Sequence, residues 1–287
     1  MASFRDAGAY RKEFVEQMES HPEIVALEQK VLAFERQKIA IEKDIRTLVP
    51  DAIKDAEERK KFIAAYRQAD DGFYKTRERL KEERVRIGRS LLREEKNLGG
   101  LAQSGSYDAK GVGFEEVAAE ILSWVSSEKT KNVNELLAVQ KFSVKSIPKK
   151  VAGLKGSYTP SSGEIEVVVD SVKKKAFTER EKSTFAHEFG HHLSRSSKNW
   201  LKKERAFFEM RTKGEKLEVL PGYKDVLGKK DKFEKIDVYA GRVYSDASSL
   251  EISSVGMQAL FEDPLAFARN DPEWFEFIIK SLKNLGS

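Results

Sequence analysis

The sequence predicts an α+β chain, mainly helical, in which a long helical hairpin arm precedes a second domain that contains a small sheet. Three observations carry this. Apolar residues recur at steps of three and four through much of the first hundred residues. Between about residues 141 and 169 the texture becomes alternating and β-branched. From Thr178 onward, capped segments with one apolar face return. The expected organisation is an arm over residues 1–100, a linker over 101–113 and a folded domain over 114–287.

In the arm, Ile24, Leu27, Val31, Phe34, Ile41, Ile45 and Leu48 form a heptad seam that only Lys38 interrupts. Residues 7 to about 97 read as helix, broken at Pro50-Asp51. A weaker stripe follows at Phe62, Tyr66, Ala69, Phe73, Leu80, Ile87 and Leu91. Two long helices joined at a proline predict an antiparallel hairpin of coiled-coil type, with a face left for a partner helix. The Gly- and Ser-rich stretch 97–113 marks the domain boundary.

The second domain should open with an amphipathic helix over 114–127, with Phe114, Val117, Ala118, Ile121, Leu122 and Val125 on one face. Residues 141–147 and 155–169 read as strands, with a turn at 159–163. Thr178 and Glu181 fit a capping box, so a helix should begin near residue 179 and run to about 195. The lysine-rich segment 196–235 holds Gly214, Pro221-Gly222 and Gly228, and reads as a loop-rich insertion with a short helix around 202–210 and a hairpin after it. Residues 250–260 return to a helical pattern, Asp263-Pro264 breaks it, and Asp271-Pro272 starts a last helix with proline in its first position.

Composition narrows the function classes. Hydrophobic residues make up 40% of the 287, enough for a packed core, and charged residues 34%, which suits solvated helices. The net charge of +5 is spread in mixed sign with no long basic run, which argues against a nucleic-acid partner. No apolar run approaches the roughly 18 residues of a membrane span, and the N-terminus has no signal-type apolar segment. There is no cysteine, so disulfides are excluded and any zinc must be held by His, Asp or Glu.

The chemistry is concentrated in one string, Thr184-Phe-Ala-His187-Glu188-Phe-Gly190-His191-His192. His187 and His191 are four residues apart, so both project from one helical face toward a single ion. Zinc accepts imidazole nitrogen at about 2.0–2.1 Å, within reach of two histidines at this spacing. Glu188, beside His187, is placed to act as general base, taking a proton from water that the metal activates and passing it to a leaving amine. The chain has only 4 histidines, and three of them lie in this string. Gly190 costs about 1 kcal/mol against alanine inside a helix, which suggests close approach by another backbone. His192 faces elsewhere and reads as a surface histidine. A third ligand must be an acid, since His21 lies in the arm. Glu204, Glu209, Asp237, Asp246 and Glu251 are all candidates, and spacing alone does not choose among them.

A resemblance does choose. The stretch Asp237-Val-Tyr-Ala-Gly-Arg-Val-Tyr244, the stretch Glu251-Ile-Ser-Ser-Val-Gly-Met-Gln-Ala-Leu260, and the closing Asp271-Pro-Glu-Trp-Phe-Glu-Phe277 resemble the C-terminal metallopeptidase domain of phage minor head (head-morphogenesis) proteins. That family carries a His-Glu-x-x-His helix, a Tyr-x-Gly-x-x-Tyr element, a Glu on a later helix and an Asp-Pro-Glu-x-Phe helix. The likeness covers about residues 140–285. It departs from the family at Leu250, where Thr or Ser is usual, and at Val255, where Met is usual.

The resemblance implies a zincin-like fold for the second domain, with Glu251 as third ligand to Zn2+ beside His187 and His191. Such a set leaves a fourth position open, as a catalytic zinc requires. Tyr239 or Tyr244 could supply a phenol to the oxyanion, and Tyr244 is the expected one. The expected function is zinc-dependent peptide-bond hydrolysis in a phage or prophage setting. The substrate would be a protein or peptide, and the location the host cytoplasm or the virion. The arm over residues 1–100 would contact a phage structural partner or a second copy. Two rival readings are a structural head-associated protein whose metal only stabilises the fold, and a metalloprotease toxin or effector.

Overall fold

A computed structural model describes residues 6–48, 56–93, 108–109, 114–124, 143–148, 156–161, 163–169, 177–230, 232–244 and 250–285. The chain divides into two compact units, one of residues 13–88 and one of residues 1–12 with 89–287. Of the expected linker at 101–113, only residues 108 and 109 are described.

The unit of residues 13–88 is helical. Helix α1 (Ala7–Ser20) enters it, and α2 (Pro22–Leu48) and α3 (Ala56–Leu92) form most of it. A single first helix was expected from residue 7; instead it is interrupted at His21, and Pro22 opens α2, in keeping with proline's fitness for a first helical position. The expected break at Pro50-Asp51 lies outside the described residues. Helices α2 and α3 run antiparallel, because their partners descend along one as they climb the other. Glu28 pairs with Arg84 at 2.6 Å, Lys38 with Asp70, and Glu42 with the Tyr66 hydroxyl at 3.1 Å. Ile24 and Leu27 of the seam are buried. The Phe34 ring lies so close to Gly72 that a Cβ there would come within 2.5 Å of it. Lys38, the charged break in the seam, is satisfied by Asp70 and sits over the rings of Phe73 and Tyr66 at 5.0 and 5.6 Å.

The other unit is built around a four-stranded sheet of β1 (Asp108–Ala109), β2 (Ser143–Pro148), β3 (Gly156–Thr159) and β4 (Glu164–Val169). Their order is β1-β2-β4-β3. The β1–β2 and β2–β4 pairs are parallel, and β3 returns antiparallel to β4 as a hairpin. Gly163 closes that hairpin at φ 66°, a conformation glycine adopts at no steric cost. Along β4, Ile165, Val167 and Val169 are buried and their neighbours only partly so, the alternation of a sheet covered on one face.

Helix α4 (Phe114–Leu122) buries Val117, Ala118, Ile121 and Leu122, and stops short of the expected residue 127. Helix α5 (Glu179–Ser196) begins where the capping box placed it, with both reciprocal bonds of Thr178 and Glu181 formed. It packs against β3 and β4 and also against a later helix, α7 (Ile252–Glu262). Helix α6 (Lys198–Arg211) precedes the short hairpin β5–β6 (Glu218–Val219, Leu227–Gly228) and a 3-10 turn at Val238–Gly241. Three helices close the chain: α7 (Ile252–Glu262), α8 (Pro264–Asn270) and α9 (Pro272–Lys283). The Asp263-Pro264 pair, expected only as a break, also starts α8: Asp263 caps it by accepting from the Ala266 N–H at 2.9 Å. The core joins Phe185, Phe189 and Leu193 of α5 to Ile252, Leu260 and Phe261 of α7 and to Trp274 and Ile278 of α9. Among the described residues no helix is long and apolar enough to cross a membrane.

Candidate metal centre

His187, Glu188 and His191 form a group that could hold a metal ion, with one ligand atom from each lying within 4.8 Å of the others. The helical repeat accounts for the histidines. Four residues apart, their rings meet edge to face with centroids 5.2 Å apart. Glu251, at the N-terminus of α7, reaches in from the other helix. Its Oε2 lies 3.3 Å from His187 Nε2 and 3.1 Å from His191 Nε2.

Gly190 makes this meeting possible. A Cβ there would come within 2.8 Å of the Ser253 carbonyl oxygen and of Ser254 Cα. The backbone of α7 therefore rests on α5 at Gly190, one residue before His191 and two residues past Glu251. The close approach expected from a costly helical glycine is what the structure contains.

Two carboxylates thus stand beside the histidine pair, and their surroundings differ. Glu251 is 1% exposed, and its oxygens are divided between partners: Oε1 accepts from the Tyr244 hydroxyl, and Oε2 accepts from Ser254 Oγ at 2.7 Å and faces both imidazoles. Burial alone would raise its pKa, but the facing imidazoles outweigh that and hold it well below the usual carboxylate range. Glu188 lies under strand β3, where a Cβ on Gly156 would meet its Oε1 at 3.0 Å. Burial pushes Glu188 up to about 7, with His187 opposing and Glu251 adding to the rise. Glu251, in contact with both ring nitrogens, is the better third donor.

Two of the donor separations are close to those around a tetrahedral ion. Bonds of about 2.0–2.1 Å place neighbouring ligand atoms about 3.3–3.4 Å apart. The Nε2 to Oε2 separations of 3.3 and 3.1 Å lie at and slightly below that edge length. His187 and His191 keep 15% and 14% of their side chains exposed, so the pair borders solvent on one side.

Two tyrosines stand beside the histidines and Glu251. Tyr239 lies 6.4 Å from the His187 ring and 4.8 Å from Tyr223, and its hydroxyl accepts from Arg242. The Arg242 guanidinium also stacks 4.0 Å over the Tyr244 ring. Tyr244, expected at the oxyanion, has its hydroxyl on Glu251. Burial first, and then the Glu251 charge, raise its pKa, so it remains a donor.

The other candidate ligands lie elsewhere. Glu209 is exposed on α6. Glu204 is 1% exposed and caps α7 from a distance, its Oε1 accepting the Ser253 N–H at 2.8 Å while Trp200 Nε1 donates to Ser253 Oγ at 2.9 Å. Burial pushes Glu204 up to about 7 against that hydrogen bond. Asp237 caps the 3-10 turn, accepting from the Tyr239 N–H at 2.8 Å, and Asp246 lies outside the described residues. His192, expected at the surface, is fully buried against Tyr158 and Phe189, because the face of α5 that carries it meets the sheet. Gln258 was not anticipated: its Oε1 lies 3.2 Å from His187 Nδ1. The signal was present, since Gln258 falls seven residues after Glu251 and so on the same face of α7.

Comparison of the chain with protein-family models, curated proteins and solved structures finds no match in any of the three.

Proposed function

We propose that this protein is a zinc-dependent peptidase with a zincin-like second domain, in which His187, His191 and Glu251 hold the ion and Glu188 is the general base. The observation that carries this reading is the Glu251 Oε2 atom facing both imidazole nitrogens at 3.3 and 3.1 Å, with the Glu188 carboxylate beside them. Zinc, when bound, supplies Lewis acidity and makes water nucleophilic near neutral pH. The chain's own groups do the rest. Glu188 takes the proton from the attacking water and hands it to the leaving amine. The Tyr244 hydroxyl donates to Glu251 Oε1, so it serves charge that develops on the substrate carbonyl only by exchanging that bond for one to the substrate. Strand β3 covers Glu188 and limits its access to bulk water.

The motif resemblance over about residues 140–285 to the phage minor head metallopeptidase domain, for which no family model matches the chain, is what suggests a phage or prophage setting, in the host cytoplasm or the virion, with the helical arm as the contact to a structural partner or a second copy. A purely fold-stabilising ion calls for an enclosed, four-ligand set. The residual exposure of the two histidines favours an open one.

The test is metal analysis of the purified protein together with a proteome-wide cleavage assay of wild type against Glu188→Gln. One zinc per chain in both proteins is expected, with turnover about 10²–10⁴-fold lower in the variant. Equal cleavage by the two proteins, or loss of zinc from Glu188→Gln, would overturn the assignment.

A further inference from the structure

The second ring nitrogen of His187 leads into a chain of side chains that no catalytic step uses. Its Nδ1 lies 3.2 Å from Gln258 Oε1. Gln258 Nε2 lies 2.9 Å from Glu262 Oε1 and 3.1 Å from Ser183 Oγ. Ser183 in turn donates to the same Glu262 oxygen. A carboxylate only accepts, so the end of the amide that faces Glu262 must be the NH2 group. The Ser183 hydroxyl gives its hydrogen to Glu262 and keeps its lone pairs for that NH2. The opposite end of the amide is then the carbonyl oxygen, and it faces His187 Nδ1. An acceptor at that place requires a hydrogen on Nδ1, so in the neutral ring the lone pair is on Nε2.

We infer that Gln258, anchored by Glu262 and Ser183, is a positioning residue that locks His187 in the tautomer whose Nε2 is free for a metal ion. The inference rests on the proposed zinc site and deepens it. In that neutral ring the Nε2 lone pair faces a carboxylate oxygen at 3.3 Å, which is repulsive unless a metal ion or a second proton lies between them, so the lock prepares His187 for zinc. The usual partner behind a zinc histidine is a carboxylate or a backbone carbonyl. Here a neutral amide makes the contact, and the carboxylate sits one link further out. Glu262, at the exposed end of α7, dictates the amide's direction without placing a second negative charge against the ring.

The experiment is zinc affinity by chelator competition on the full chain, combined with proton NMR of the zinc-loaded protein to observe a protected imidazole N–H from His187. Gln258→Leu removes the acceptor at similar volume. It should weaken zinc binding about 10–100-fold and abolish the protected ring resonance. Gln258→Glu combined with Glu262→Gln exchanges the amide and the carboxylate, keeps an acceptor at Nδ1 with a donor behind it, and should restore both. Wild-type affinity in a folded Gln258→Leu, or failure of the Gln258→Glu, Glu262→Gln double variant to recover either readout, would overturn the inference while leaving the zinc site standing. If the wild-type chain binds no zinc, the site reading itself falls, and the inference with it. Should Gln258→Leu not fold, Glu262→Leu carries the test. It leaves Gln258 in place but frees its amide to turn, so affinity should drop by a smaller factor, about 3–10-fold, and an unchanged affinity would refute the lock.

Discussion

Gly190→Ala probes how closely α5 and α7 meet. On an isolated helix the change should stabilise by about 1 kcal/mol, because glycine is the poorer helix former. Here the new Cβ would lie 2.8 Å from the Ser253 oxygen and Ser254 Cα and 3.0 Å from Met257 Cγ. Carbon contacts relax at about 3.5–4.0 Å, so α7 must withdraw by roughly 0.7 Å or more. Two of the three nearest atoms are backbone and cannot rotate away. Overpacking of this kind costs about 1–3 kcal/mol, so the net effect is a loss of about 0–2 kcal/mol. Withdrawal also moves Glu251, which is two residues from Ser253, away from imidazoles it faces at 3.1 and 3.3 Å. Zinc affinity should therefore fall more than stability does. Urea unfolding gives the first quantity and chelator competition the second. A variant that gains the full 1 kcal/mol and binds zinc like wild type would show that the helices do not meet this closely.

Other outcomes follow from the same geometry. Glu251→Ala should lower zinc affinity by more than the roughly 10–100-fold typical of an outer partner, whereas Glu209→Ala, on an exposed face of α6, should leave it unchanged; metal analysis of the two variants decides between them. Glu204 is pushed up to about 7 by burial, so the folded state holds its proton more tightly than the unfolded chain does. Its contribution to stability is complete below about 4.5 and is lost as pH rises through about 7, an effect on the order of 3 kcal/mol. Glu204→Gln keeps an acceptor for the Ser253 N–H and should flatten that part of the profile in urea titrations of metal-free protein at pH 5 and pH 8; a slope equal to wild type would remove Glu204 as its source. Thr178→Ala removes one bond of the α5 capping box and should cost about 1 kcal/mol by the same assay, with zinc stoichiometry unchanged.

What the sequence by itself determined is local. The i,i+4 histidines share a face because the helix repeats every 3.6 residues, and the Thr178–Glu181 box sets where that helix begins through bonds spanning three residues. The β3–β4 hairpin and the prolines that open α8 and α9 are equally short-range. Gly190 is an intermediate case: its helical cost announced a close neighbour, and only the fold showed that the neighbour is Ser253-Ser254. The rest depended on segments far apart in the chain. Glu204 and Glu251 are both acids of plausible spacing, and nothing local says that one faces the imidazoles while the other accepts the N–H of Ser253. His192 carries the same side chain as His191, yet 100° around the helix it meets the sheet and is buried. The order β1-β2-β4-β3, with its parallel pairs, and the Gln258–Ser183–Glu262 chain behind His187 likewise arise only when distant elements pack. Short-range hydrogen bonds and helical periodicity can be read residue by residue, whereas burial and the direction of a buried polar group are set by whatever the rest of the chain brings against them.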